Sequence, residues 1–316
     1  YYVYLFIISF ILLKVMKTIV IFGGAGFVGK HIIRRLAKHG YKIIVPYQKS
    51  IQEAKIRLLG VTGQIIPFRY TSLNDKRLQS ILMNTDICIN LKTTYDQKKG
   101  SFNETIYNFN QKLLKILKSN KELKQFIFFS GLGADLDKNS ARSIAVVKSE
   151  KEVFKTIINA NIIRPGVIIG GGDIFLKRLL PIFKMSFFVP LFGDGSIRFQ
   201  PVFIDDVSLA VEKIINEKIK GKNIYELAGP RIIAYKDFYN HIAKCLNKTR
   251  VLVPVPLNLM KPLISIAEKT PFSPLTSEQL LLFEKDNLAQ NIDKSFKDLD
   301  INPQDTLNIT KNIIEK

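Results

Sequence analysis

The chain has 316 residues, of which 47% are hydrophobic and 23% are charged, and this composition suits a folded protein with a large apolar core. It excludes disorder, collagen and coiled coil as descriptions of the whole chain. Lysine and arginine outnumber aspartate and glutamate by 47 to 27. No basic block interleaved with aromatic residues accompanies this excess, so we predict no nucleic-acid partner, while attraction to an anionic membrane surface fits the charge.

Cysteines and histidines are too few and too scattered to predict a disulfide scaffold or a metal site. Cys88 and Cys245 are the two cysteines, and the three histidines, His31, His39 and His241, are scattered along the chain. We therefore predict a reducing compartment and no metal.

The first thirteen residues form an apolar run that ends at Lys14. This run is shorter than the roughly twenty residues that a helix needs to cross a bilayer. Because Met16 directly precedes a predicted strand, we expect the natural protein to begin there, with residues 1–15 outside it. A short interfacial anchor is the alternative.

A glycine-rich turn between a strand and a helix is the strongest motif. The apolar run at residues 18–22 predicts a buried parallel strand that leads directly into Gly23, Gly26 and Gly29. A helical pattern follows, and residues 42–46 predict a second strand. Such glycines let the backbone turn tightly and approach a pyrophosphate, whose charge the helix N-terminus stabilises. We therefore predict an α/β fold, a Rossmann-type doubly wound parallel sheet with a smaller C-terminal lobe. We assign residues 16–228 to the NAD(P)-binding Rossmann domain and residues 229–316 to the lobe.

The glycine spacing G-x-x-G-x-x-G resembles that of the short-chain dehydrogenase/reductase superfamily. Three further segments narrow the resemblance to its atypical, extended branch of complex I accessory subunits: FSGLGAD at residues 129–135, IYELAGP at 224–230 and TSEQLLLFEKDN at 276–287. This resemblance implies a tightly held NADP(H) or NAD(H) that stabilises a subunit without turnover of its own. It also implies complex I subunits as partners. The location it implies is cytoplasmic and peripheral, at the inner face of an energy-transducing membrane, or on the matrix side in a mitochondrion.

The end of the second strand bears on the choice of nucleotide. NAD-binding units usually carry a carboxylate there, whereas this chain has Tyr47, Gln48 and Lys49. Lys49 could pair with a 2′-phosphate, so NADP(H) is favoured and NAD(H) is the alternative. The complete set of predicted cofactor-binding residues is Gly23, Gly26, Phe27, Val28, Gly29, Tyr47, Gln48, Lys49, Leu91, Lys148, Pro165 and Val167.

The catalytic motif of the superfamily is incomplete. Active members use Tyr-x-x-x-Lys, in which the lysine lowers the pKa of a phenol that transfers a proton. Here the residue four before Lys148 is Ile144, and no tyrosine occurs between Tyr107 and Tyr225. A hydrocarbon cannot deliver a proton, although Lys148 can still bind a ribose. We therefore assign no catalytic residue and describe Ser130, Ile144 and Lys148 as a degenerate site.

These features predict a non-catalytic NAD(P)H-binding accessory or assembly subunit of a respiratory NADH:ubiquinone oxidoreductase. One alternative is an active NAD(P)-dependent reductase, epimerase or dehydratase that takes its proton from Ser130, Lys148 or a bound water. Another is a ubiquinone-biosynthesis factor of the same branch.

Overall fold

The computed structural model describes residues 16–95, 97, 100–268 and 275–315, so the apolar run at residues 1–13 lies outside it. The strands, in chain order, are β1 (Thr18–Phe22), β2 (Lys42–Tyr47), β3 (Ile65–Arg69), β4 (Ile87–Asn90), β5 (Gln125–Phe129), β6 (Ala160–Pro165), β7 (Ile168–Ile169), β8 (Phe188–Phe192), β9 (Arg198–Phe199), β10 (Val202–Phe203), β11 (Lys222–Leu227), β12 (Ile233–Ala234) and β13 (Val251–Val255).

The α-helices are α1 (Phe27–Ala37), α2 (Ile51–Arg57), α3 (Lys76–Met83), α4 (Phe109–Lys118), α5 (Ala141–Thr156), α6 (Ile174–Met185), α7 (Ile204–Asn216), α8 (Tyr235–Cys245), α9 (Leu257–Ala267), α10 (Ser277–Leu280) and α11 (Thr306–Ile314). A π-helical turn, Asn103–Asn108, leads into α4, and 3₁₀ turns occupy Leu281–Phe283 and Lys297–Leu299. Within the described ranges, no helix combines the length and the apolar character needed to cross a bilayer.

Seven parallel strands form the central sheet in the order β3-β2-β1-β4-β5-β6-β11. Their sequences are nearly continuous apolar runs because helices cover both faces of the sheet. In β5, for example, all five residues are buried. The strand order reverses between β1 and β4, which creates the crevice where open α/β sheets bind their ligands. The predicted Rossmann-type doubly wound sheet is confirmed.

Two apolar layers hold the helices against the sheet. Helices α1 and α7 pack together on one face, where Ile32, Ile33 and Val211 are fully buried. Helices α3, α4 and α5 cover the other face, with Leu78 and Leu113 among its buried residues. Because helices cover both faces of the sheet, a site can form at the carboxyl ends of the strands, where the loops lie.

A third apolar cluster forms a smaller lobe from parts of the chain that are distant in sequence. Helix α6 and strands β8 and β9 contribute to it together with α8, β13 and α9. At its centre the rings of Phe199 and Tyr235 stack with centroids 4.3 Å apart. The chain then returns to the main sheet, where the amide of Glu226 donates to the carbonyl of Lys294 at 2.8 Å and Phe296 enters the first layer. The division at residue 229 stays a prediction.

Arg164 of β6 is a buried cation that ties these parts together. Its guanidinium donates to both carboxylate oxygens of Glu150 on α5, at 3.0 and 2.7 Å, and to Asp135 at 2.9 Å. It also donates to Asp293 of the returning segment at 3.3 Å, and Glu226 of β11 lies 4.0 Å away. Burial works to lower the pKa of Arg164, but the surrounding carboxylates outweigh it and raise this pKa above its ordinary value.

Replacing Arg164 with methionine leaves four carboxylates around an apolar side chain. We expect the free energy of unfolding to fall by about 3–5 kcal/mol at pH 7.5, because an unpaired buried charge is costly. Burial already raises the pKa of Asp293 and of Glu226 in the folded protein. Carboxylates with a raised folded pKa favour folding at low pH and lose that contribution as the pH rises, so the loss in Arg164→Met shrinks toward pH 5.

Denaturant unfolding at pH 7.5 and at pH 5 measures both effects. Arg198→Met is the matched control, because Arg198 is half-exposed and pairs with Asp286 alone at 2.6 Å. We expect it to cost less than about 1 kcal/mol. Equal losses in the two variants would contradict the role assigned to Arg164.

Candidate functional site

The turn between β1 and α1 leaves the N-terminus of the helix open. Gly23 has a φ of +80°, in the left-handed region that other residues rarely adopt. The amide of Gly26 donates to the carbonyl oxygen of Gly23 at 3.0 Å, which closes the turn. Gly26 is also the N-cap of α1, so its own side chain does not compete for the first amides of the helix. An anionic group can therefore accept hydrogen bonds there.

The glycines of the turn have separable roles. A Cβ on Gly29 would lie 2.5 Å from the Cα of Gly24, and a Cβ on Gly24 would lie 2.6 Å from Cγ1 of Val45. These two glycines are required by the packing of α1 on the sheet. A Cβ on Gly26 would meet only the Gly23 carbonyl oxygen, at 3.1 Å. Gly26 is thus the glycine whose missing side chain leaves room for a ligand.

Phe27 and Leu91 connect the turn to other strands. The amide of Leu91, just after β4, donates to the Phe22 carbonyl at 3.0 Å. The tip of the Phe27 ring lies 3.3 Å from the position of a Cβ on Gly170, just after β7. Val28 is half-buried and its side chain packs against the apolar core. Its backbone amide, in the first turn of α1, stays a predicted contact of the nucleotide.

The end of β2 carries the residues expected to discriminate between nucleotides. Lys49 is exposed, and Gln48 donates to the carbonyl of Thr71 at 3.4 Å. The Tyr47 ring is buried, and its hydroxyl donates to Glu53 of α2. That hydrogen bond is the main cause of the raised pKa of Tyr47 and the lowered pKa of Glu53.

Two further charged residues lie near this end and are not among the predicted cofactor-binding residues. Arg69 ends β3 directly beside Tyr47 in the strand register, and its side chain is exposed. Glu53 brings a carboxylate to the region, but Arg57 donates to it at 2.7 Å. The sequence pattern of a helix or a strand does not predict that Arg69 and Glu53 lie near Tyr47. Their positions follow from the register of β2 and β3 and from the start of α2.

Pro165 and Val167 lie where β6 leaves the sheet. The carbonyl of Pro165 accepts a hydrogen bond from the amide of Leu132 at 3.0 Å. A Cβ on Gly166 would lie 2.2 Å from the carbonyl oxygen of Gln200, so position 166 has no room for a side chain. The backbone at the carboxyl end of β6 is therefore fixed at the edge of the crevice.

Ile144 and Lys148 lie one turn apart on α5, and both are exposed. Ile144 stands where Tyr-x-x-x-Lys would place the phenol. Ser130 follows β5, is 5% exposed, and its hydroxyl has no hydrogen-bond partner among the described residues. A buried hydroxyl without a partner at the end of a central strand fits contact with a ligand. The side chain of Ile144 offers no proton.

Together, the sheet order and the glycine turn define a Rossmann-type fold whose first turn is suited to a dinucleotide phosphate. Residues 19–136 match the model of the NAD dependent epimerase/dehydratase family. The triphenylmethane reductase of a Citrobacter species has the same fold, with a TM-score of 0.76 at 15% identity over 95% of this chain and 100% of that one.

Two relatives are subunits of a respiratory enzyme. The chain is 27% identical over 297 residues to "NADH dehydrogenase (ubiquinone) 1 alpha subcomplex subunit 9, mitochondrial" of Arabidopsis thaliana, covering 90% of this chain and 73% of the plant protein. It is 23% identical over 303 residues to the "NADH-ubiquinone oxidoreductase 40 kDa subunit, mitochondrial" of Neurospora crassa, covering 94% and 79%. The predicted resemblance to the complex I accessory subunits is confirmed.

The roles of the glycines can be separated by substitution. Gly26→Val has an allowed backbone conformation and meets only one carbonyl, so we expect it to fold with a melting temperature close to that of the wild type. It should lose the rise in melting temperature that NADPH produces, because the valine occupies the phosphate position. Thermal unfolding with increasing NADPH measures this change.

Gly29→Ala is the matched control for packing. We expect it to lower the free energy of unfolding by about 1–3 kcal/mol without any nucleotide, because its Cβ would overlap Gly24. A Gly26→Val protein that responds to NADPH like the wild type would overturn the assignment of Gly26 to the ligand.

Proposed function

We propose that this protein is a non-catalytic NAD(P)H-binding accessory or assembly subunit of a respiratory NADH:ubiquinone oxidoreductase. The observation that carries the proposal is the similarity to two subunits of that enzyme over nine-tenths of the chain. The site is consistent with this role, because the phosphate-binding turn is intact while Ile144 stands in place of the proton donor.

The nucleotide in this proposal stabilises the fold rather than reacting. It would contact the turn at Gly26, the end of β4 at Leu91 and the end of β6 at Pro165, with Lys148 on its ribose. A ligand that binds the folded state alone stabilises it by about 2.7 kcal/mol at a hundred times its Kd. Bound nucleotide would thereby hold the carboxyl ends of separate strands in one arrangement.

NADP(H) is the preferred nucleotide in this proposal. Lys49 and Arg69 offer two exposed cations at the adjoining ends of β2 and β3, while the carboxylate of Glu53 is held by Arg57. A 2′-phosphate can pair with the cations, whereas NAD(H) gains nothing from them. In the thermal titration, NADPH should therefore act at a lower concentration than NADH, and equal midpoints would contradict this preference.

Exposed apolar side chains beside cations on the smaller lobe support a peripheral position on an anionic membrane, at its inner face or on the matrix side in a mitochondrion. Residues 174–193 and 238–267 contain seven lysines and arginines, and acidic residues directly adjoin both segments: Asp173, Asp194, Asp237 and Glu268. These segments build the β8–β13 pair and α9, which carry the exposed apolar residues Phe188, Val251, Leu259, Leu263 and Ile266. Exposed apolar side chains among cations suit an interface with anionic lipid headgroups.

Co-sedimentation with lipid vesicles tests this surface. We expect the protein to bind vesicles that contain an anionic lipid and not purely zwitterionic ones, with loss of binding at high salt. Leu263→Glu with Ile266→Glu should reduce the bound fraction, because it places charge in the apolar stripe of α9. Leu58→Glu, at an exposed leucine far from α9 in sequence, is the control. Equal binding of all three proteins would refute the proposed surface.

Assembly into the oxidoreductase can be tested by native electrophoresis of gently solubilised membranes. We expect the wild type to co-migrate with NADH:quinone oxidoreductase activity. Gly26→Val should lower the amount that co-migrates, because it removes the stabilising nucleotide. Ile144→Tyr, which restores Tyr-x-x-x-Lys, should leave co-migration unchanged, because the proposed role requires no proton transfer.

Three other results would point elsewhere. Migration as a monomer or small oligomer would overturn the subunit role. Normal assembly of Gly26→Val would show that the subunit role does not require the nucleotide. Steady oxidation of NADPH by the purified wild type with a carbonyl or nucleotide-sugar substrate would establish an active reductase or epimerase instead.

A further inference from the structure

Arg142, the second residue of α5, is a buried cation at the carboxyl ends of β4 and β5. It is 5% exposed, and its Nε donates to the carbonyl of Thr94 at 3.1 Å. The guanidinium lies over the Tyr95 ring at 3.8 Å from its centroid. Its Nη1 lies 3.8 Å from the position of a Cβ on Gly131. Tyr95 and Thr94 thus hold the guanidinium in place beside the residue that follows Ser130.

The charge of Arg142 is not compensated by the described part of the chain. Among those residues no carboxylate lies within ion-pair distance of its guanidinium, and neither Nη atom has a hydrogen-bond acceptor. Arg164, which is buried to the same degree, has carboxylates from four residues around it. A buried guanidinium is normally paired, because removing it from water is costly. The contrast indicates that the partner of Arg142 is supplied from outside the described chain.

The surroundings of Arg142 also favour a negative charge. The hydroxyl of Ser130, next to Gly131, is buried and unpaired among the described residues. Arg142 stands in the first turn of the 16-residue helix α5, at the positive end of its dipole. The N-cap Ser140 donates a hydrogen bond to the carboxylate of Glu278 at 2.6 Å, and Glu278 forms no ion pair with Arg142.

We propose that Arg142 is the anchor of an oxyanion subsite that binds the carboxylate or phosphate of a small ligand. Two Nη groups on one planar guanidinium suit bidentate binding of either group. The subsite lies on the β4–β5 side of the crevice, whereas the dinucleotide phosphates belong to the β1–α1 turn. Its ligand is therefore a second molecule beside the nucleotide. The subsite does not depend on assembly into the oxidoreductase.

Anion titration of the full chain, saturated with NADPH at constant ionic strength, tests the subsite. Inorganic phosphate and malonate are the probes, and chloride replaces them in the reference. We expect at least one probe to raise the melting temperature in a saturable way, and the stronger probe identifies the ligand group. Arg142→Gln should weaken this response at least tenfold. Arg77→Gln, which removes an exposed arginine, should leave it unchanged and so control for the general basic charge.

Several results would overturn the subsite. They are the absence of a saturable response in the wild type, an equal response in Arg142→Gln, and an equal loss in Arg77→Gln. If Arg142→Gln weakens NADPH binding as much as it weakens probe binding, the anion is a phosphate of the nucleotide and the second ligand is refuted.

A purely structural role for Arg142 makes a different prediction. It requires Arg142→Gln to lower the melting temperature without any anion, whereas an uncompensated charge requires no decrease. If Arg142→Gln fails to fold, Arg142→Lys decides the question, because it keeps the charge and loses the bidentate geometry. Undiminished probe affinity in Arg142→Lys would refute bidentate anchoring.

Discussion

The guanidinium of Arg164 sits inside a parallel sheet, and its need for counter-ions determines how distant parts of the chain meet. The carboxylates come from α5, from the loop after β5, from β11 and from the returning C-terminal segment. Since all of them must reach one cation, the carboxyl ends of β5 and β6 are held in a fixed relation. Those ends carry Ser130 and Pro165, so the shape of the crevice depends on an interaction beneath it.

The parts of the site that could be predicted from the sequence are those built from neighbouring residues. A buried strand, a turn of glycines and an amphipathic helix are contiguous, and each has its own local pattern, so β1, α1 and β2 could be placed closely. The spacing of the glycines did not reveal that Gly24 and Gly29 contact each other. It therefore did not separate the glycines needed for packing from Gly26, which faces the ligand position.

The features that could not be predicted are contacts between residues far apart in the chain. Arg164 and Asp293 are 129 positions apart, and Tyr47 meets Arg69 only because β2 and β3 pair in register. The glycine motif locates a backbone turn and does not show which way the next side chains point, so the sequence did not reveal that the Val28 side chain packs against the core. Arg142 and Arg164 look alike in the sequence. What distinguishes them is that Arg164 has four carboxylates around it, whereas Arg142 has none within ion-pair distance among the described residues.

The degenerate site follows a consistent physical logic. In the proposed role, Ile144 replaces the phenol that Tyr-x-x-x-Lys uses for proton transfer, while the nucleotide would bind backbone amides that a side-chain change at residue 144 does not disturb. A chain can therefore lose turnover and keep its ligand. Once turnover is lost, a nucleotide that remains bound can still stabilise the folded state by linking the ends of separate strands. The free energy of unfolding measures this contribution. An anion at Arg142 would act in the same way from the other side of the crevice, because it would neutralise a buried charge that has no carboxylate partner among the described residues.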